Sequence, residues 1–141
     1  MRNMQQSRRP RGDAGMSVVE LAIVLPTVLL LVWGGLQVAI YFVAKAVASS
    51  AAQQGADLGR RQGHTISDGA RSATQFARQQ GDGWLTGIDV STSTKPAAGT
   101  PLVTVVVTGH PFAIIPWFGQ LTIRQSATAP VEQFTSATST P

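Results

Sequence analysis

The sequence predicts an α+β protein: a long N-terminal transmembrane helix extended into a small helix plus three-stranded antiparallel sheet domain. Three observations carry that expectation. Residues 21–44 are an uncharged apolar run, and small side chains then recur at helical spacing as far as Gly59. Three runs rich in Val, Ile and Thr lie between Ile88 and Ala129. The 141 residues, 43% apolar and 13% charged, leave room for an anchor and one very small domain.

Residues 1–15 read as a basic cytoplasmic leader. Arg2, Arg8, Arg9 and Arg11 stand there against Asp13 alone, a net +3 out of the chain's +4. A nucleic-acid surface needs Lys and Arg clustered on the folded body, and the remaining residues are close to neutral. No nucleic-acid partner is expected. The absence of cysteine excludes disulfides, thiolate metal sites and a cysteine nucleophile.

Leu21 to Ala44 would span about 36 Å as a helix, enough to cross a hydrocarbon core of about 30 Å. Gln37 is the one strongly polar side chain in the run, and Tyr41 lies near its distal end, where interfacial aromatics collect. Four arginines before the run against Lys45 after it place the amino terminus in the cytoplasm and the rest outside. The run is too long for a cleaved signal peptide, although Ala46-Val47-Ala48 has the letters of a cleavage site. A twin-arginine signal is hinted at by Ser7-Arg8-Arg9, but Arg11, Gly12 and Asp13 separate it from the apolar run.

Pro26 removes the helical bond to the Ala22 carbonyl and invites a kink; Gly34 and Gly35 weaken a second place. Such breakers are structural only, or they permit bending in an assembly; the residues do not choose. Beyond the run, Ala44, Ala48, Ala51, Gly55 and Gly59 form a thin stripe. It reads as a face for close helix approach or as plain helix filler. Gly59-Arg60-Arg61-Gln62-Gly63 supplies a cationic last turn and a glycine stop, so the helix is expected from Ser17 to about Gln62 within a segment 16–63.

Residues 64–134 read as the exposed domain. Ser67 is expected to cap a helix through Gln80 with a modest apolar face of Ile66, Ala70, Ala73 or Thr74, and Ala77 with Phe76, ended by Gly81-Asp82-Gly83. Strands are expected at Ile88–Thr94, Leu102–Thr108 and Gln120–Ala129, the first two joined through Lys95 to Pro101. Residues 135–141 read as a polar tail. Between the last two strands, Phe112, Ile114, Ile115, Trp117 and Phe118 form either the lid of a small core or a docking patch.

Catalysis finds no support. His64 and His110 are the only histidines and lack metal-ligand spacing, so no metal is expected. Asp57, Asp68, Asp82 and Asp89 stand singly, without a pairing for acid–base work. Gly81-Asp82-Gly83 lacks the lysine and preceding strand of a phosphate loop. No cofactor and no small-molecule substrate are expected.

The most specific feature stands at the head of the apolar run: Gly15-Met16-Ser17-Val18-Val19-Glu20. Glu20 is either an N-terminal-turn acid favoured by the helix dipole or part of a processing signal. With Gly15 five residues earlier and arginines before it, the pattern resembles the class III signal of type IV prepilins and pseudopilins. The resemblance narrows over residues 12–58. Val19-Glu20-Leu21-Ala22 with Leu25-Pro26, Gly34 with Gln37 ahead of Tyr41 and Phe42, and Ala51-Ala52-Gln53-Gln54-Gly55-Ala56 are similar to the TadE-like family of tight-adherence pilus systems.

That resemblance implies a minor pilin or pseudopilin of the bacterial cytoplasmic membrane. It implies cleavage by a prepilin peptidase between Gly15 and Met16, and an assembly and register role for Glu20. The implied partners are a major pilin, a companion minor pilin and the pilus assembly platform. The alternative is an unprocessed, signal-anchored cell-envelope protein with a small binding domain. A third reading, a secreted accessory protein, would need cleavage near Ala48. The mature mass separates the three.

Overall fold

The computed structural model of the chain describes residues 18–96 and 100–131, without the side chains of Trp117 and Phe118. The elements are α1 (Val18–Gly59), α2 (Ile66–Gly81), β1 (Leu85–Lys95), β2 (Leu102–Pro111), a 3-10 turn (Pro116–Gln120) and β3 (Ile123–Pro130). The fold is α+β, with a long apolar helix, a second small helix and a three-stranded antiparallel sheet. Two compact units divide it, Met1–Gly34 and Gly35–Pro141.

In the first unit the described residues belong wholly to α1. Its apolar side chains, among them Val19, Leu25, Leu30, Leu31 and Trp33, are exposed on every side of the helix. A helix that is apolar all round and unburied is stable only in an apolar surrounding. This helix is long and apolar enough to cross a membrane, which suggests that it anchors the chain. Pro26 lies inside it without ending it, and Gly34 and Gly35 also remain helical. Thr27 hides its hydroxyl by donating to the Ile23 carbonyl at 2.8 Å, as membrane helices require of polar groups.

In the second unit α1 changes character. Gln37, Ile40, Ala44, Ala48, Ala51, Ala52, Gly55, Ala56 and Gly59 are buried, at steps of three and four along one face. The small-residue stripe therefore docks on its own domain. A Cβ on Gly55 would meet Ala73 and Val105, and one on Gly59 would meet Val103. The sequence divides anchor from domain at 63/64; packing groups residues 35–141 together. Val103, Val105 and Val107 on β2 are almost wholly buried against this helical layer, each side chain contributing about 1.5–3 kcal/mol of transfer free energy.

The sheet order is β1-β2-β3, so β2 is central. Val107 pairs with Val90 on one side and Gln125 on the other; Val105 pairs with Thr92 and Ala127. Paired residues share a face, so one valine row on β2 sets which side of all three strands turns inward. The outer face is polar, with the Thr104 and Thr128 hydroxyls 2.9 Å apart.

Several boundaries differ from expectation. α1 ends at Gly59, three residues early, and the chain turns back through residues 60–63 to Gly63 at φ +84°. Strand β1 begins at Leu85 rather than Ile88, because Leu85 pairs with Pro111 across a register irregularity between Thr86 and Asp89. Strand β3 begins at Ile123 rather than Gln120, since residues 116–120 coil into the 3-10 turn. The leader 1–15, Ser17 and the tail 135–141 lie outside the described residues.

The cap of α2 is Thr65, not Ser67. The Thr65 hydroxyl accepts from the Asp68 N–H at 3.2 Å while the Thr65 N–H donates to the Asp68 carboxylate at 2.8 Å, a reciprocal capping box. That backbone donor first, then the Thr65 hydroxyl, hold the Asp68 pKa below its ordinary value against an opposing desolvation, and the charges of Arg71 and His64 lower it by less. A depressed folded-state pKa stabilises the fold above the unfolded value and is lost as pH falls through the lowered one. Acid titration of thermal melting should show this component in the wild type and lack it in Asp68→Asn. Superimposable curves would remove the cap from the pH response.

Candidate functional site

Two places hold the residues that the sequence singles out, one in each unit. In the first, Glu20 lies in the first described turn of α1, exposed, where the helix dipole favours a carboxylate. Gly15 and Met16 lie outside the described residues. Leu21, Ile23, Val24 and Leu25 follow Glu20 directly, all exposed, so any neighbour of this acid belongs to an apolar surrounding.

In the second unit the centre is Gln37, which is wholly buried. Its side-chain amide donates to the Phe112 carbonyl at 3.1 Å, and its oxygen accepts the Ile114 N–H at 2.9 Å and the Ile115 N–H at 3.5 Å. One side chain thus satisfies the backbone of a strand end 75 residues away. The connection between β2 and β3 is pinned further where His110 Nδ1–H meets the Leu121 carbonyl at 3.1 Å. The Phe112 N–H donates to the Trp84 carbonyl at 2.9 Å.

These bonds decide how the apolar segment is presented. Phe112 remains exposed and Ile114 and Ile115 are half-buried, so the segment offers apolar surface. A recess of about 200 Å³ lies beside it, lined by Gln37, Val38, Tyr41 and Leu121. His64 stands exposed in the turn before α2, far along the chain from His110 on β2.

Sequence reasoning noted Gln37 as polar and missed its task. Gln37→Leu removes all three bonds and leaves the Phe112 carbonyl and the Ile114 and Ile115 N–H groups without that partner, at a cost of about 1–3 kcal/mol. The expected result is faster amide exchange at Ile114 and a lower melting temperature in mild detergent. Unchanged protection at Ile114 would show that Gln37 does not hold the segment.

Residues 15–57 match the family model described as TadE-like protein. The anchor segment is TadE-like. The match begins at Gly15, takes in Glu20 and the whole apolar run, and ends in the stripe that packs on the small domain. No curated protein and no solved structure matches the chain. Residues 58–141 lie beyond the TadE-like match, and the clamp from Gln37 ties the matched helix to that remainder.

Proposed function

We propose that the chain is a minor pilin or pseudopilin that takes part in assembling a tight-adherence, type IV-like pilus. The observation that carries this reading is the TadE-like match from Gly15 through Asp57, with Glu20 at the head of an unburied apolar helix. Under this reading a prepilin peptidase cleaves between Gly15 and Met16 on the cytoplasmic side. The freed helix then packs beside a major pilin and a companion minor pilin at the assembly platform. The role is structural, without catalysis or cofactor. The domain lies outside the cytoplasmic membrane, as the leader arginines favour.

The deciding experiment is the mass of the protein purified from cells that carry its own peptidase. Loss of residues 1–15 is expected. Gly15→Val should leave a full-length, membrane-inserted precursor, because a residue without a side chain exposes its backbone to the peptidase most freely. A reporter fused after Pro141 should be active only outside the cytoplasm. A mature wild-type protein that keeps Met1 through Gly15 would leave the unprocessed, signal-anchored protein as the answer.

A further inference from the structure

The second unit carries an apolar end that its own core does not cover. Trp84 is 44% exposed, Phe112 48% and Leu121 42%, and on the adjoining stretch of α1 Val38 is 50% and Phe42 60% exposed. They are neighbours by construction. The Phe112 N–H bonds the Trp84 carbonyl, Gln37 clamps Phe112 and Ile114, and Leu121 and Val38 share one recess. Segments 84–88 and 111–123 contain no charged residue apart from their flanks, where Asp82, Asp89, His110 and Arg124 stand. The opposite end of β1 is of different chemistry, with Ser93, Thr94 and Lys95 exposed.

We propose that this apolar end is seated in the lipid interface, as a shallow collar of aromatic and aliphatic side chains beside the first residues of the second unit. Chain continuity names the occupant. Leu36 and Val38 follow the exposed apolar run of α1 with no linker between, so whatever surrounds residues 18–34 is delivered to the start of the second unit. Residues 18–36 supply about 28 Å of helix, close to the hydrocarbon thickness, which puts Gln37 at the level where water and headgroups begin. There a buried amide that satisfies backbone groups is needed, and exposed Trp and Phe are at their most favourable. The collar goes beyond the pilus role and rests only on the anchor.

The chain has no cysteine, so single substitutions give clean reporters. Full-length Phe112→Cys, Leu121→Cys, Ser93→Cys and Val28→Cys, each carrying a nitroxide, are placed one copy per phosphatidylcholine nanodisc. Collisions with oxygen and with an aqueous nickel chelate are then compared. Labels at 112 and 121 should shift toward oxygen by roughly twofold or more over Ser93, short of the shift at Val28. The collar is overturned if both match Ser93 while Val28 is deep in lipid, a result that leaves the anchor intact. It is overturned equally if protection at 112 and 121 appears only in discs holding two copies, since the patch then faces protein.

Discussion

A single methyl group on Gly69 should strongly destabilise the small domain. The Cβ of Gly69→Ala would lie 2.5 Å from the Gly55 carbonyl oxygen, 3.1 Å from the Gly59 Cα and 3.2 Å from its nitrogen. All three are backbone atoms of α1, so no rotamer change relieves the collision and the helices must separate. Overpacking of this kind costs about 1–3 kcal/mol, sometimes more, and the helix-propensity gain of Ala over Gly returns at most about 1 kcal/mol. A domain of this size holds only about 5–10 kcal/mol in all. Separation also loosens Ala73 and Val105, which meet α1 beside Gly55. Gly59→Ala is the control, because its Cβ meets Val103 at an ordinary 3.5 Å. Circular-dichroism melting in mild detergent should show a large loss for Gly69→Ala and near-wild-type behaviour for Gly59→Ala. Equal melting temperatures would mean that the two helices do not approach as closely as described.

The second large effect belongs to Glu20. Under the proposed function, cleavage gives Met16 a cationic α-amino group four residues before Glu20, and neighbouring subunits bring equivalent groups to the same carboxylate. A pair at about 4 Å is worth about 4 kcal/mol at an effective dielectric of 20, offset in large part by desolvation of both charges. What survives acts on register, because an unpaired carboxylate in lipid disfavours every misaligned neighbour. Glu20→Ala should be inserted and cleaved yet fail to co-purify with pilin partners, and surface pili should be lost. Glu20→Gln should be partly defective, keeping the shape without the charge. Normal pili from Glu20→Ala would reduce the residue to a helix-dipole acid.

The architecture was legible because its signals are local. An uncharged run, a step of three and four, and alternating valines each report their own element without knowledge of the rest. What escaped depends on partners distant in the chain or on spacing read against the wrong residue. Gln37 shows only that an amide stands among apolar neighbours; that it meets Phe112 follows from tertiary packing. Gly69 looks like a weak position in a short helix until Gly55 is seen against it. The capping box was available: Thr65 has Asp68 three residues on, whereas Ser67 has Ala70 there, and no carboxylate. Glu20, Pro26, Gly34 and Gly35 lie within α1. Of the patch residues, Phe112, Ile114 and Ile115 proved to share a Gln37 clamp that no periodicity encodes.

The alanine face of α1 also sets the order in which the protein can complete itself. Ala44, Ala48, Ala51, Ala52 and Ala56 share one core with Val103, Val105 and Val107, which are synthesised about 50 residues later. At 5–20 residues per second that is a wait of roughly 3–10 s. During it the helix is already made and its partners do not yet exist. Methyl groups bury little area apiece, so a face of Ala and Gly waits with far less exposed apolar surface than one of Leu or Phe. The same arrangement makes the domain inseparable from its anchor. A fragment starting at residue 64 would lack five core residues and the Gln37 clamp, and a cut near Ala48 would divide the core itself. The shortest fragment that keeps the fold starts upstream of Gln37, inside the apolar run, and needs detergent or lipid to be handled at all.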